Sequence, residues 1–450
     1  MPWMVAISFF MQMLDSSILN TSLPSIAIDF NTSPLQMQAV VVSYMLTVAL
    51  IIPASGWLTD RFGSKPVFFS AICIFTLGSL ACALSPNVDM LVASRIMQGV
   101  GGALMVPVGR LMVLRAFPRS ELVGILSFVT IPGLLGPLIG PTLGGLLSHY
   151  ASWHWIFLIN IPVGIAGMLL CQRYLPSLAA SEAPGKFDWP GFFLFSMFMV
   201  CVTLALGGLG EMHLALSAIF LLAGGGITSL GLYWLHARKT PAPLFSPDLF
   251  AIRNFRIGIM GNLFARLGNG ALPFLMPLLL QIGLGYNPVK AGLTMLPMTV
   301  GSLIAKSIVV KLIKRVGYRV FLVVNTLGMG VCIAAFALID DSTPYYGILA
   351  IFTLMGIVNS MQFTAMNTLT LLDLPDNRAG SGNSLLSAIM QLAMGMGVAC
   401  AASILNICSA AEFPVLKGFQ QTFIIMGFLG AAAAVIFFRA EDTQGCSKSK

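Results

Sequence analysis

The chain has 450 residues, 57% of them hydrophobic and 9% charged, with a net charge of +8 and a mean hydropathy of +0.90. No water-soluble domain has this balance, so most of the mass is expected inside a bilayer. The positive charge lies mainly in short loops between apolar runs, which is a topology signal and leaves no need to invoke nucleic acid as a partner.

About 20 apolar residues cross a hydrocarbon core of roughly 30 Å. Runs of that length lie near residues 3–23, 38–58, 67–85, 90–112, 122–147, 156–174, 189–208, 214–235, 257–280, 290–312, 320–339, 345–370, 380–408 and 419–438. They are too long and too uniformly apolar for barrel strands, which alternate lipid-facing and lumen-facing residues. The expected fold is therefore an all-α polytopic membrane protein of about fourteen spans. The first run starts almost at Met1, but no basic segment precedes it and Asp15 interrupts it, so a retained span is expected, not a secretory signal peptide. With the N-terminus inside, the loops on that side gather Arg61, Lys65, Arg115, Arg119, Arg173, Lys186, Arg238, Lys239, Arg253, Arg256, Lys311, Lys314, Arg315, Arg319 and Arg378. The other side keeps Lys290 and Lys417 beside acids such as Glu211, so both termini are expected in the cytoplasm. Eight cysteines are scattered without metal-ligand spacing, and no metal site is expected.

In chain order, the first chemical feature is Asp15, an acid well inside span one. Ionisable groups at that depth are expensive and commonly functional, which makes Asp15 the first candidate for taking up and releasing protons. A hydrogen-bonded structural role is the alternative. After span two comes Gly56-Trp57-Leu58-Thr59-Asp60-Arg61-Phe62-Gly63-Ser64-Lys65. Here Gly56 would permit close helix contact and Gly63 a tight turn, while Asp60, Arg61 and Lys65 could bridge to neighbouring helix ends as a conformational latch. Span four carries Arg95 towards its outer part, Gln98 one turn further in, and Arg110 near its inner part, where snorkelling is an alternative for both arginines.

Span five contains Gly133, Gly136, Pro137, Gly140, Pro141, Gly144 and Gly145. Spacing of four puts Gly136, Gly140 and Gly144 on one face, where another helix can approach closely, and the prolines remove backbone donors and should bend the helix. Spans seven and eight read as an inserted pair, followed by a polar stretch from His236 to Arg256 that reads as a linker. After span ten, Arg315-Val316-Gly317-Tyr318-Arg319 repeats the Arg-x-Gly-x-basic pattern of Arg61 to Lys65, which divides the chain into two six-span halves. Lys314 stands where the first copy has Asp60, so a latch role there is not expected. In the second half Arg266 and Lys306 have no intramembrane acid from their own half as partner, which favours neutral or anionic cargo over organic cations. Uncharged amides within spans also need partners, and Asn20, Asn262, Asn269, Asn359, Gln362 and Asn367 join Arg110, Arg266 and Lys306 as cavity candidates.

Leu14-Asp15-Ser16-Ser17-Ile18-Leu19-Asn20-Thr21-Ser22-Leu23-Pro24, the Gly56 to Lys65 loop, Arg95-Ile96-Met97-Gln98-Gly99-Val100-Gly101-Gly102, the span-five glycines, and Trp153-His154-Trp155-Ile156-Phe157-Leu158-Ile159-Asn160-Ile161-Pro162 together resemble the fourteen-span drug:proton antiporter family of the major facilitator superfamily. The resemblance covers essentially the whole chain. It implies two six-helix bundles plus an inserted pair, with an N-terminal bundle over 1–175, the pair and a cytoplasmic linker over 176–256, a C-terminal bundle over 257–440 and a tail over 441–450. It implies proton-coupled export of small molecules by alternating access from a bacterial cytoplasmic (inner) membrane, driven by the proton gradient with no cofactor, and by a monomer. Asp15, Arg95 and Gln98 would then serve proton coupling, and the span-five glycines would keep protons from leaking. Relatives usually carry a short cytoplasmic lead before span one, and a shortened start is expected here.

Two alternatives accompany this reading. One is a dedicated exporter of an organic anion or metal chelate, of the citrate or iron-citrate kind. The other is a non-transporting membrane sensor or scaffold. A primary pump is disfavoured because no Gly-x-x-x-x-Gly-Lys-Ser/Thr loop occurs, and an enzyme because none of the four histidines lies in a nucleophile motif.

Overall fold

The computed structural model describes residues 2–117, 119–175, 185–208 and 215–440. The expected tail over 441–450, the loop residue Glu211 and the surroundings of Gly133 lie outside the described residues. Every expected apolar run falls on a helix, and the described residues contain no strand. In hydrocarbon each backbone N–H and C=O must be paired within its own segment, and a helix does this without reference to neighbours.

The chain splits into two compact units. The first covers Met1–Phe187 and Leu280–Leu293. It contains α1 (Pro2–Asp29), α2 (Gln38–Phe62), α3 (Ser64–Ala83), α4 (Val88–Ala116), α5 (Arg119–Tyr150) and α6 (Trp155–Tyr174). The second covers Asp188–Leu279 and Thr294–Lys450. Its helices are α7 (Trp189–Gly208), α8 (Leu216–Lys239), α9 (Arg253–Gly283), α10 (Pro288–Val316), α11 (Tyr318–Leu338), α12 (Tyr345–Leu372), α13 (Asp376–Ala410) and α14 (Val415–Phe437), with the adjoining parts of α9 and α10 assigned to the first unit. Among the described residues thirteen helices are long and apolar enough to cross a membrane, and α5, with 32 residues, is a further long helix.

The sequence repeat has a conformational counterpart. Gly63 has φ 85° and ψ 154°, and Gly317 has φ 80° and ψ 162°, a region that favours glycine. Each closes one helix and opens the next: the Gly63 N–H donates to Thr59 O at 2.9 Å and the Gly317 N–H to Ile313 O at 2.9 Å. The polar linker is shorter than expected, because His236 to Lys239 form the last turn of α8 and Arg253 to Arg256 the first turn of α9.

In the first unit the glycine seam of α5 lies against α1. A Cβ on Gly136 would stand 2.6 Å from the Leu14 backbone nitrogen, one on Gly140 would meet Ser17 Oγ, and one on Gly144 would meet Ile18 O. The Ser17 hydroxyl lies 3.1 Å from Gly136 O, and Ser148 donates to Ser22 Oγ at 2.6 Å. The next glycine along, Gly145, faces Pro288 O, while Gly292 faces Pro141 O and accepts a bond from Thr142 Oγ1 at 3.3 Å. Because the neighbours at Gly136 are backbone, they cannot move aside cheaply. Gly136→Val is therefore expected to lower the melting temperature of the purified protein, at a cost of about 1–3 kcal/mol from overpacking. Gly56→Ala is expected to leave it unchanged, since nothing lies within 4 Å of a Cβ there. This corrects the expectation that Gly56 serves a close helix contact.

In the second unit, the segment after α8 is fastened by Asp188, just before α7. Its Oδ1 accepts from His236 Nε2 at 2.6 Å and from the Gly191 N–H at 3.0 Å, and Oδ2 accepts from the Leu244 N–H at 3.0 Å. Tyr233 adds a second clasp, donating to Phe245 O at 2.9 Å and accepting from the Phe245 N–H at 2.8 Å. Burial of Asp188 opposes its charge, but the bonds from His236, Gly191 and Leu244 outweigh that and hold the carboxyl below its usual range. This fastening is present above the unfolded carboxyl value of about 3.9 and is lost as pH falls through the lowered folded value. Asp188→Ala at neutral pH is expected to raise tryptic cleavage after Lys239 by about tenfold or more, because bonds to a charged acceptor are worth about 1.5–3 kcal/mol each.

Candidate functional site

The first unit buries a polar network in its core. Asp15 on α1 is 1% exposed, Arg95 on α4 1%, and Gln98 on α4 not at all. Arg95 Nη1 donates to Asp15 Oδ2 at 2.7 Å, forming a buried ion pair, and to Gln98 Oε1 at 2.5 Å. Gln98 Nε2 donates to Asp15 Oδ1 at 2.8 Å and to Ser79 Oγ of α3 at 2.6 Å. Asn160, at the start of the longer part of α6, donates to the same two acceptors at 3.0 and 3.2 Å. Over the guanidinium lies Tyr44 of α2, its ring centroid 4.1 Å from Arg95 Cζ.

Local sequence explains how bulky polar groups fit here. The glycines after Gln98 thin α4 on several faces: a Cβ on Gly99 would strike Thr47, on Gly101 the backbone of Phe75, and on Gly102 the Tyr44 hydroxyl. From the other side, Gly78 of α3 leaves room for Gln98, whose Cα would be 2.7 Å from an added Cβ. Close helix approach brings short amide and hydroxyl side chains within bonding distance.

Three N–H donors converge on Asp15, from Arg95, Gln98 and Asn160, an arrangement that matches a side chain offering acceptor oxygens. A proton added on either oxygen would face existing donors, and neutralising Asp15 would leave Arg95 buried without its counter-charge.

The other expected residues are more dispersed. Lys65 donates to Gln172 O at 3.0 Å and Leu175 O at 2.8 Å, capping the end of α6, while Asp60 is half-buried and Arg61 exposed. Asn20 is buried and donates to Ser16 O at 3.1 Å. Arg110 and Lys306 are exposed on their helices and are not joined to these networks.

A second polar cluster lies between α9, α11 and α12. Arg266 is 5% exposed; its Nε donates to Asn262 Oδ1 at 3.1 Å, its Cζ lies 4.8 Å from the Phe363 ring centroid, and its Nη2 is buried with no hydrogen-bond acceptor among the described residues. Asn367 Oδ1 on α12 is likewise buried without a donor. Asn269 donates to Asn359 at 2.5 Å, and Gln362 donates to Thr326 at 2.6 Å while accepting from Asn325 at 2.8 Å. Arg266 thus lacks the acid that balances Arg95.

Sequence reasoning singled out Asp15, Arg95 and Gln98 but not Asn160, Ser79 or Tyr44. Asn160 was visible as a polar residue opening an apolar run; nothing in the sequence distinguished Ser79 from other span serines.

An all-helical chain with this many long apolar helices and an ion pair buried among them is a multi-pass membrane protein. Residues 5–398 match the family profile described as Major Facilitator Superfamily. The chain is 48% identical to the "Putative multidrug resistance protein MdtD" of Salmonella paratyphi B and to that of Salmonella typhimurium, over 98% of this chain and 95% of each relative. Its fold resembles a crystal structure of a D-xylose-proton symporter, with a TM-score of 0.70 at 13% identity over 98% of both chains. It also resembles the inward-open xylose transporter XylE from E. coli, at 0.66 and 14% over 99% of this chain and 97% of that one. The chain belongs to the major facilitator superfamily, and it is a transporter rather than an enzyme.

Proposed function

We propose that this chain is a proton-coupled antiporter that exports small molecules from the bacterial cytoplasm by alternating access, working as a monomer in the inner membrane with both termini inside. The observation that carries this reading is the Asp15 carboxylate buried against Arg95 and held by Gln98 and Asn160. A proton arriving at Asp15 breaks the balance of that network and favours one conformation; its release to the cytoplasm restores the ion pair. Lys65 with Asp60, Arg61 and Gly63 acts as the latch of one conformation, and the α5 glycines form the tight seam that limits proton leak. The names of the relatives support a multidrug-type cargo. The test is flux in proteoliposomes with an imposed pH gradient: substrate movement against its own gradient, with counterflow of protons, is expected, and flux indifferent to the pH gradient would refute coupling.

A second reading of the cargo rests on Arg266. A buried cation with an unused donor favours an anionic group, such as the carboxylate of an organic acid or a metal chelate. The same flux assay separates the readings by comparing hydrophobic cations, neutral drugs and carboxylates with and without metal. No flux of any of these classes would point to a cargo outside them.

A further inference from the structure

In the second unit, the start of α9 and the residues closing α14 enclose a groove of about 510 Å³. Its rim carries Arg253, Arg256 and Arg439, all exposed. Its walls are apolar, formed by Ile257 and Met260 on one side and Val435 and Ile436 on the other.

Arg253 and Arg256 occupy the first turn of α9, where the positive end of the helix dipole repels a cation, and that turn has no acidic residue and no side-chain cap. Arg253 donates through Nε and Nη2 to Arg439 O at 3.2 and 3.0 Å, which draws the third arginine to the same rim. Neither Arg256 nor Arg439 has an acidic partner among the described residues. Arginines that served only to set topology could be spread along a loop; here three converge on one opening.

The walls indicate what kind of anion completes the site. Met260 is 39% and Val435 65% exposed on helices long and apolar enough to cross a membrane, so the groove offers uncovered hydrocarbon surface. From Arg253 to Met260 the helix rises about 10 Å, enough for a headgroup and the start of an acyl chain. We propose that this groove binds an anionic phospholipid, its phosphate between the arginines and an acyl chain along Met260 and Val435. Guanidinium groups suit phosphate oxygens through paired hydrogen bonds, and basic pockets between membrane helices take such headgroups. Binding is read without any transport measurement, so the proposal stands apart from the reading of cargo and coupling.

The experiment is native mass spectrometry of the full-length protein, delipidated and then offered phosphatidylglycerol or phosphatidylcholine, with inorganic phosphate as competitor. The wild type is expected to retain phosphatidylglycerol at least tenfold more than phosphatidylcholine. The double variant Arg256→Gln/Arg439→Gln should lose that preference about tenfold, and Arg256→Lys/Arg439→Lys should keep most of it. Equal retention by a folded Gln variant would overturn the proposal, as would displacement of the lipid by millimolar inorganic phosphate, which would make this a free-phosphate site. If the Gln variant does not fold, Val435→Glu, which puts a carboxylate on the acyl wall, is expected to reduce phosphatidylglycerol retention at least fivefold; unchanged retention would overturn the proposal equally.

Discussion

Asp15→Asn is expected to abolish gradient-driven transport, lowering coupled flux by about 100-fold or more while downhill exchange of cargo persists. Asparagine matches aspartate in size but supplies one acceptor and one donor. With its oxygen towards Arg95, its amide faces the Gln98 and Asn160 donors; with its oxygen towards those amides, its NH2 faces the guanidinium. Either way the carboxylate is gone and Arg95 is left as an uncompensated buried charge, which costs about 3–5 kcal/mol. The single variant is therefore expected to be less stable, and a stability loss alone could mimic a transport defect. Asp15→Asn/Arg95→Gln separates the two effects, because removing both charges should recover much of the melting temperature without recovering coupled flux. Coupled flux in the double variant would show that protons are carried elsewhere. Asn160→Ala provides a graded comparison: it deletes one of three donors and leaves the ion pair, so coupled flux is expected to fall less than in Asp15→Asn.

The helices were legible because their cause is local. A run of apolar residues in lipid has only one way to pair its own backbone, and no tertiary information enters that argument. Gly63 and Gly317 were legible for the same reason, since a turn that favours glycine leaves its mark in a five-residue pattern. Asp15, Arg95 and Gln98 were legible by chemistry, being ionisable or amide groups at depth. What bound them together was not. Asn160 lies 145 residues from Asp15 and Ser79 lies 19 from Gln98, and their meeting depends on how α1, α3, α4 and α6 pack. Gly56 shows the converse: placed in a motif, it was read as a packing glycine, yet the space beside it is open.

Arg266 sharpens the question of cargo, because burying its guanidinium without an acid costs the fold stability. Its Nη2 is buried without an acceptor among the described residues, and stacking on Phe363 at 4.8 Å supplies only part of the compensation that Arg95 obtains from Asp15. Arg266→Gln is therefore expected to stabilise the purified protein, assayed without added substrate, by about 1–2 kcal/mol, seen as a raised melting temperature. If Arg266 receives an anionic cargo, the same variant should raise the KM for a carboxylate substrate by about tenfold or more, the scale of a lost charge-assisted hydrogen bond, while neutral substrates are unaffected. Arg266→Lys should fall between, since it keeps the charge but loses the planar face against Phe363 and the bond from Nε to Asn262. Opposite movement of stability and carboxylate transport is the signature of a group kept for its ligand at the expense of the fold. A fall in stability with transport of every substrate unchanged would instead make Arg266 a strut between α9 and α12, and would leave the anionic reading of the cargo without support.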